Sequence, residues 1–268
     1  MTVAVICNLS DGLIMGVDSA VSISDMDGVQ KVFEDGDKLF QLAEKIGVAT
    51  YGLGSLEGRT IGSFIHEFEI THTDIGKIPI SEVVERLRLF FFEKYVAFAE
   101  HYFSTKFDEI PDDKKGPLSL IVGGFSPGEF LSEAWLITIP ANRDANSAEK
   151  ICDRGSFLVK WFAMSGPIDR YLTGFDRDFL SDTSDFFVSV LGRPFTDEEL
   201  ARYAPIRDKY MYRIFLDAMP IKAGIEYVRF LVQLVIQHYR YMSEHPIVGG
   251  QVKLGVVTYK GERFRLLE

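Results

Sequence analysis

Apolar residues in this chain change their spacing in blocks, and that order constrains the fold more than any other feature. From Thr2 to Tyr51 they form short β-branched stretches broken by turn residues. Thr2 to Leu9, Leu13 to Val17, Val29 to Glu34, Lys38 to Leu42 and Gly47 to Tyr51 read as strands. Ser10-Asp11-Gly12 is a hairpin signal, and the polar stretch around Asp25, Asp27 and Gly28 interrupts the pattern. After Gly52-Leu53-Gly54 the period becomes helical: Ile61, Phe64, Ile65 and Phe68 share one face of a helix expected from Leu56 to about His72. A second helix is expected from near Pro79, with Ser81 as its N-cap, to about Phe103.

Strands return at Leu118 to Gly123, Trp135 to Ile139 and Phe157 to Met164, with Asp144 to Lys150 read as a loop. A long helical stretch follows, with starts near Pro167, Thr196 and Pro220, ending about Met242. Thr196-Asp197-Glu198-Glu199 carries the spacing of a capping box. Strands from Gln251 to Tyr259 and Arg263 to Leu267 close the chain. Segregated runs of strands and helices suit a layered α+β domain better than an alternating βαβ sheet. No linker splits the 268 residues, so residues 1–268 are read as one domain.

The charge balance is acidic, −10 overall, and no basic patch stands out, so nucleic acid is not an expected partner. Its two cysteines, Cys7 and Cys152, lie in apolar strand-like runs and read as buried thiols, not as a disulfide framework. Residues 1–12 lack a signal-peptide pattern, and Glu93 and Lys94 break the longest apolar stretch. The expectation is a cytoplasmic protein with no membrane span. No cofactor and no metal are expected.

Thr2 stands where removal of Met1 would make it residue one, since small side chains after the initiator permit that cleavage. Its hydroxyl and a free α-amine would then share one residue. An α-amine has a pKa of about 7.7–8.0, so near neutral pH it can serve as the base. Downstream, Asp18 ends a strand in Gly16-Val17-Asp18-Ser19, Lys38 opens the pair Lys38-Leu39-Phe40-Gln41-Leu42, and Gly52 ends Gly47-Val48-Ala49-Thr50-Tyr51.

This run resembles the N-terminal third of proteasome β subunits and their bacterial relatives, the N-terminal-nucleophile (Ntn) hydrolases. Thr2 to Asp18 spans sixteen residues and Lys38 to Gly52 fourteen, spacings the family shares. Ala163-Met164-Ser165-Gly166 resembles its Gly-Ser-Gly segment, and Gly249-Gly250 its last Gly-Gly. The resemblance implies a four-layer αββα sandwich, two stacked antiparallel sheets flanked by helices. It implies a Thr2 nucleophile, with Lys38 beside the hydroxyl, Asp18 paired to Lys38 and the Gly52 N–H donating to the oxyanion. Ser165 would bond near the Thr2 amine, while Ser22 and Ser19 fall where the family lines its substrate strand.

Departures accompany the match. Where the family has an Asp and then a Ser before the final Gly-Gly, this chain has His245 and Val248, with Glu244 adjacent, and Ala20 replaces an arginine. Helices near 79–116 and 179–219 read as insertions. The function so implied is threonine-type peptidase or amidase activity on a peptide or protein substrate, within a homo-oligomeric ring. The alternatives are a transpeptidase or ligase using the same acyl-enzyme, and a catalytically weak structural subunit. No Walker-type loop is present, so any ATPase that delivers substrate would be a separate chain.

Overall fold

The computed structural model describes residues 2–25, 28–140, 148–209, 211–242, 248–261 and 263–267. The first strands are Val3–Leu9 (β1), Gly12–Asp18 (β2), Val21–Asp25 (β3), Gly28–Phe33 (β4), Leu39–Ala43 (β5) and Ile46–Gly52 (β6). Two short strands, Ser55–Leu56 (β7) and Arg59–Thr60 (β8), lead into helices Ile61–Thr71 (α1) and Ile80–Phe103 (α2). Leu118–Gly124 (β9), Glu133–Ile139 (β10), Glu149–Cys152 (β11) and Leu158–Ala163 (β12) follow. Helices Gly166–Thr173 (α3), Arg177–Leu191 (α4), Asp197–Asp208 (α5) and Ile221–Met242 (α6) precede strands Val252–Thr258 (β13) and Arg265–Leu267 (β14).

Ten of these strands make two five-stranded sheets, ordered β12-β1-β2-β13-β14 and β11-β10-β9-β6-β5. Every neighbouring pair in both is antiparallel. The strand period of two decides what each residue meets. In β1, where all seven residues are buried, Val3, Val5, Cys7 and Leu9 join a core with Ile168 of α3 and Val228, Leu231, Val232 and Val235 of α6. Ala4 and Ile6, one residue out of phase, join Leu13, Met15 and Val17 of β2 and Ala49 and Ile121 of the other sheet. On that sheet's outer face Val48, Leu120, Val122 and Ile137 meet Phe64 and Phe68 of α1 and Val84, Leu87 and Phe91 of α2. The layers are therefore helices, sheet, sheet, helices: the αββα order the resemblance implies.

Glycines set how closely α6 approaches its sheet. A Cβ at Gly16 would sit 2.5 Å from Val228 Cγ1, and one at Gly224 would sit 2.6 Å from Leu9 Cδ1.

Four local readings change. Val21–Asp25 is a strand paired with β4, its Val-Ser-Ile-Ser alternation masked in sequence by the polar residues that follow. Residues Ser55 to Thr60 form a tight hairpin whose two central residues, Glu57 and Gly58, both have positive φ, so α1 starts at Ile61 and not Leu56. Glu149 and Lys150 belong to β11, not to a loop. Pro79, without a side-chain bond, caps α2 in place of Ser81. The box at Thr196 closes as its spacing requires: Thr196 N–H donates to Glu199 Oε2 at 2.9 Å and Glu199 N–H to Thr196 Oγ1 at 3.3 Å. No described helix is long and apolar enough to cross a membrane.

Candidate active site

One end of the sandwich gathers the start of β1, the end of β2, the start of β5, and the ends of β6 and β12. Asp18 closes β2 in one sheet and Lys38 immediately precedes β5 in the other. Lys38 Nζ donates to Asp18 Oδ1 at 2.9 Å. The same oxygen accepts from Val3 N–H at 3.1 Å, and Asp18 Oδ2 accepts from Ala20 N–H at 3.3 Å and Gly249 N–H at 3.2 Å. Asp18 is fully buried and Lys38 nearly so. Burial lowers the proton affinity of Lys38 and raises that of Asp18, and the ion pair opposes both effects. Burial is the larger influence on both groups, so Asp18 stays above and Lys38 below its ordinary value even with the ion pair in place.

Thr2 is buried at the start of β1, its carbonyl accepting from Met164 N–H at 3.0 Å. That bond extends the β1–β12 ladder, whose last pair is Val3 with Ala163. Ala163 then leaves the strand at a φ of 64°, and Ser165 follows as the first residue of the turn into α3. Ser165 Oγ donates to Asp169 Oδ2 at 3.2 Å.

Gly52 ends β6 with a φ of 91°, and a Cβ there would lie 2.0 Å from the Pro117 carbonyl oxygen. Only glycine fits such a backbone. Leu53 N–H bonds that same carbonyl at 2.9 Å on the β9 side, while Thr50 N–H bonds Lys38 O at 2.8 Å on the β5 side. Strand alternation sends the Gly52 N–H toward the Thr50 side, past the start of β5.

At that edge lies a cleft of about 460 Å³ lined by Thr2, Ser22, Lys38 and Gly52 among others, so the structure brings these four together. Asp18 lies beneath, bonded to Lys38. The Ser22 hydroxyl is buried with no hydrogen-bond partner among the described residues. Ser19 is not part of the lining: its hydroxyl donates to Glu34 O and accepts from Gln251 N–H, tying β2 to neighbouring chain segments. Ser165 likewise lies outside the lining. Val248 is buried in the core beneath α6. Glu244 and His245 lie outside the described residues.

Asp35, Asp37 and Tyr51 also line the cleft and were not singled out from sequence. The alternation around Lys38 and Gly52 would have found Tyr51 as the neighbour of an expected strand end. Asp169 was missed as well, although Ser165 and Asp169 stand one helical turn apart just after a strand.

No family model and no curated protein matches the chain. Among solved structures it is similar to Anbu (ancestral beta-subunit) from Yersinia bercovieri, with a TM-score of 0.54 and 14% identity over 98% of this chain and 86% of that one. At that identity the likeness is one of fold, and it agrees with two stacked antiparallel sheets flanked by helices.

Proposed function

We propose that this chain is a threonine-type Ntn hydrolase of the proteasome β-subunit kind, with Thr2 as nucleophile once Met1 is removed. The observation that carries the reading is the buried Asp18–Lys38 pair, held across two sheets at 2.9 Å, with Lys38 in the wall of the cleft that Thr2 also lines. A buried ion pair is a poor way to stabilise a fold, and hydrophobic residues of equal size serve better. A fixed positive charge beside a hydroxyl is, by contrast, what an alkoxide needs.

In the reaction so read, Thr2 Oγ1 adds to the carbonyl carbon of a peptide amide and its proton passes to the Thr2 α-amine. Lys38 favours the developing alkoxide, and Gly52 N–H donates to the carbonyl oxygen as it becomes an oxyanion. The ammonium then gives its proton to the leaving nitrogen, the C–N bond breaks, and an ester remains on Thr2. Water adds to that ester, losing a proton to the amine. Return of this proton to Thr2 Oγ1 as the C–O bond breaks frees the acid product and restores the enzyme. Every proton is carried by the chain's own groups or water.

The substrate on this reading is a peptide or protein, and the likeness to a protein titled an ancestral β subunit supports self-assembly of the kind β subunits undergo. A cytoplasmic setting, with any ATPase on a separate chain, completes the proposal. Intact-mass measurement after exposure to a peptide epoxyketone tests it. The expected mass is that of the chain lacking Met1 plus one inhibitor, with no adduct on Thr2→Ala. Retained Met1, or equal labelling of Thr2→Ala, overturns the reading.

A further inference from the structure

Resting on the Thr2 reading, we infer that Asp169 is a positioning residue that sets the direction of the Ser165 hydroxyl for proton transfer at the Thr2 amine. Ser165 occupies the N-cap position of α3, yet its side chain makes no cap bond. A serine there ordinarily accepts from an N–H two or three residues on. This one instead turns its oxygen to the Asp169 side chain, 3.2 Å away. The turn is tight, since Asp169 N–H also donates to Ser165 O at 3.0 Å.

Asp169 is itself fixed. It is buried, and its other oxygen accepts from the indole N–H of Trp161 on β12. An ionised carboxylate can only accept, so the single Ser165 proton is committed to it. What Ser165 offers in every other direction is lone pairs. Met164, the residue before it, is bonded to the Thr2 carbonyl, which places Ser165 on the amine side of Thr2. An oxygen held as an acceptor there favours the ammonium formed when the Thr2 hydroxyl is deprotonated and orients it for proton transfer to the leaving group.

The geometry separates two steps. A strained electrophile such as a β-lactone has no amine to expel, so its reaction with Thr2 does not require proton delivery to a nitrogen. Amide cleavage does. Asp169→Asn is nearly isosteric and can still accept from Trp161, but its amide nitrogen would face Ser165 as a donor. The Ser165 hydroxyl then becomes the acceptor in that bond and its proton swings away from position 169, toward the ammonium.

The test compares wild type, Asp169→Asn, Ser165→Ala and the double variant, using a peptide β-lactone followed by intact mass and a fluorogenic peptide amide followed by steady-state kinetics. The expected result is lactone labelling within a few-fold of wild type, KM unchanged, and kcat on the amide lower by about 10²-fold in Asp169→Asn, the low end of acid–base contributions. Ser165→Ala should lose a similar factor. The double variant should lose no more than either single one, because both changes remove one device. Wild-type amide turnover in Asp169→Asn, or losses that multiply in the double variant, overturns the inference while leaving Thr2 as nucleophile. A wild-type chain that is not labelled at Thr2 overturns both. Should Asp169→Asn not fold, Ser165→Ala carries the test alone, since it leaves the buried carboxylate in place, and unchanged kcat there is equally fatal.

Discussion

Lys38 Nζ lies 2.9 Å from Asp18 Oδ1, and this bond ties the end of a strand in one sheet to the start of a strand in the other. The proposed site thus depends on how the two sheets are stacked. A shift between layers would pull the lysine from its carboxylate as surely as a mutation.

Removing one partner separates the roles of charge and packing. Lys38→Ala should lower acylation by about 2–4 kcal/mol of transition-state stabilisation. It should also destabilise the fold by up to about 3–5 kcal/mol, because Asp18 is left buried without its counter-charge. Lys38→Arg should rescue little, since the planar guanidinium does not fit where an ammonium meets one oxygen. The double change Asp18→Asn with Lys38→Met should recover only the part of the loss owed to the unpaired charge in a urea titration, because an amide cannot accept from all three N–H groups that Asp18 bonds, and none of the activity. Equal activity of the arginine variant and wild type would contradict the close fit.

Gly52→Ala should fail for two local reasons, the positive φ and a Cβ 2.0 Å from the Pro117 oxygen. Backbone strain of this kind costs roughly 1–3 kcal/mol, and Pro117 must also move. Thermal unfolding should show the loss. Labelling of Thr2 by an epoxyketone should fall further than stability does, because the displaced peptide carries the N–H proposed for the oxyanion. A variant with wild-type melting and labelling would remove Gly52 from both accounts.

Much of this end of the molecule was legible because its residues sit where local signals are strongest. Asp18 and Gly52 end strands, Lys38 and Thr2 precede them, and strand ends announce themselves by a break in apolar spacing. The layered α+β class followed from segregated runs of strands and helices, whereas the stacking of two antiparallel sheets came from the family resemblance. Less visible were contacts that form only when distant elements meet. Nothing in the sequence around Trp161 shows that its indole will find Asp169, since one lies on a strand and the other on the next helix. The strand at Val21–Asp25 was hidden for a different reason: polar side chains on one face of a short alternating strand look like a loop. The hairpin before α1 was lost because Glu57, which takes positive φ there, is not a residue that signals a turn.

The two thiols give a pH-dependent check on the core. Burial pushes Cys7 up to about 12 and Cys152 to about 11. In an unfolded chain both would ionise near 8.5. Raised folded values mean that the native state holds its full advantage below about pH 8.5 and loses it as pH climbs through about 11 for Cys152 and about 12 for Cys7. Iodoacetamide at pH 8 should therefore leave both cysteines unmodified in the native protein and alkylate both in denaturant. Replacing both by alanine should flatten the alkaline limb of the stability curve. Rapid native alkylation would show that the sheets are not packed as described.

Helix α4 makes the prediction about assembly. It exposes Phe179, Phe186, Phe187, Val190 and Leu191, with Phe186 62% and Val190 64% accessible. Phe186 and Val190 stand one turn apart, and Phe187 and Leu191 repeat that spacing beside them, so the four form one apolar stripe along the helix. Leaving such a stripe in water forgoes about 25 cal/mol for each Å² that could be covered. If copies of this chain cover it for one another, light scattering at micromolar concentration should give a multiple of the 30.3 kDa chain mass. Phe186→Ser with Val190→Ser should then lower that mass. Because these side chains are exposed within the single chain, the thermal midpoint of the dissociated variant should stay close to that of wild type extrapolated to low concentration. A wild-type chain that is strictly monomeric would sink the assembly reading without touching the Thr2 chemistry, because every residue proposed for that chemistry belongs to one chain.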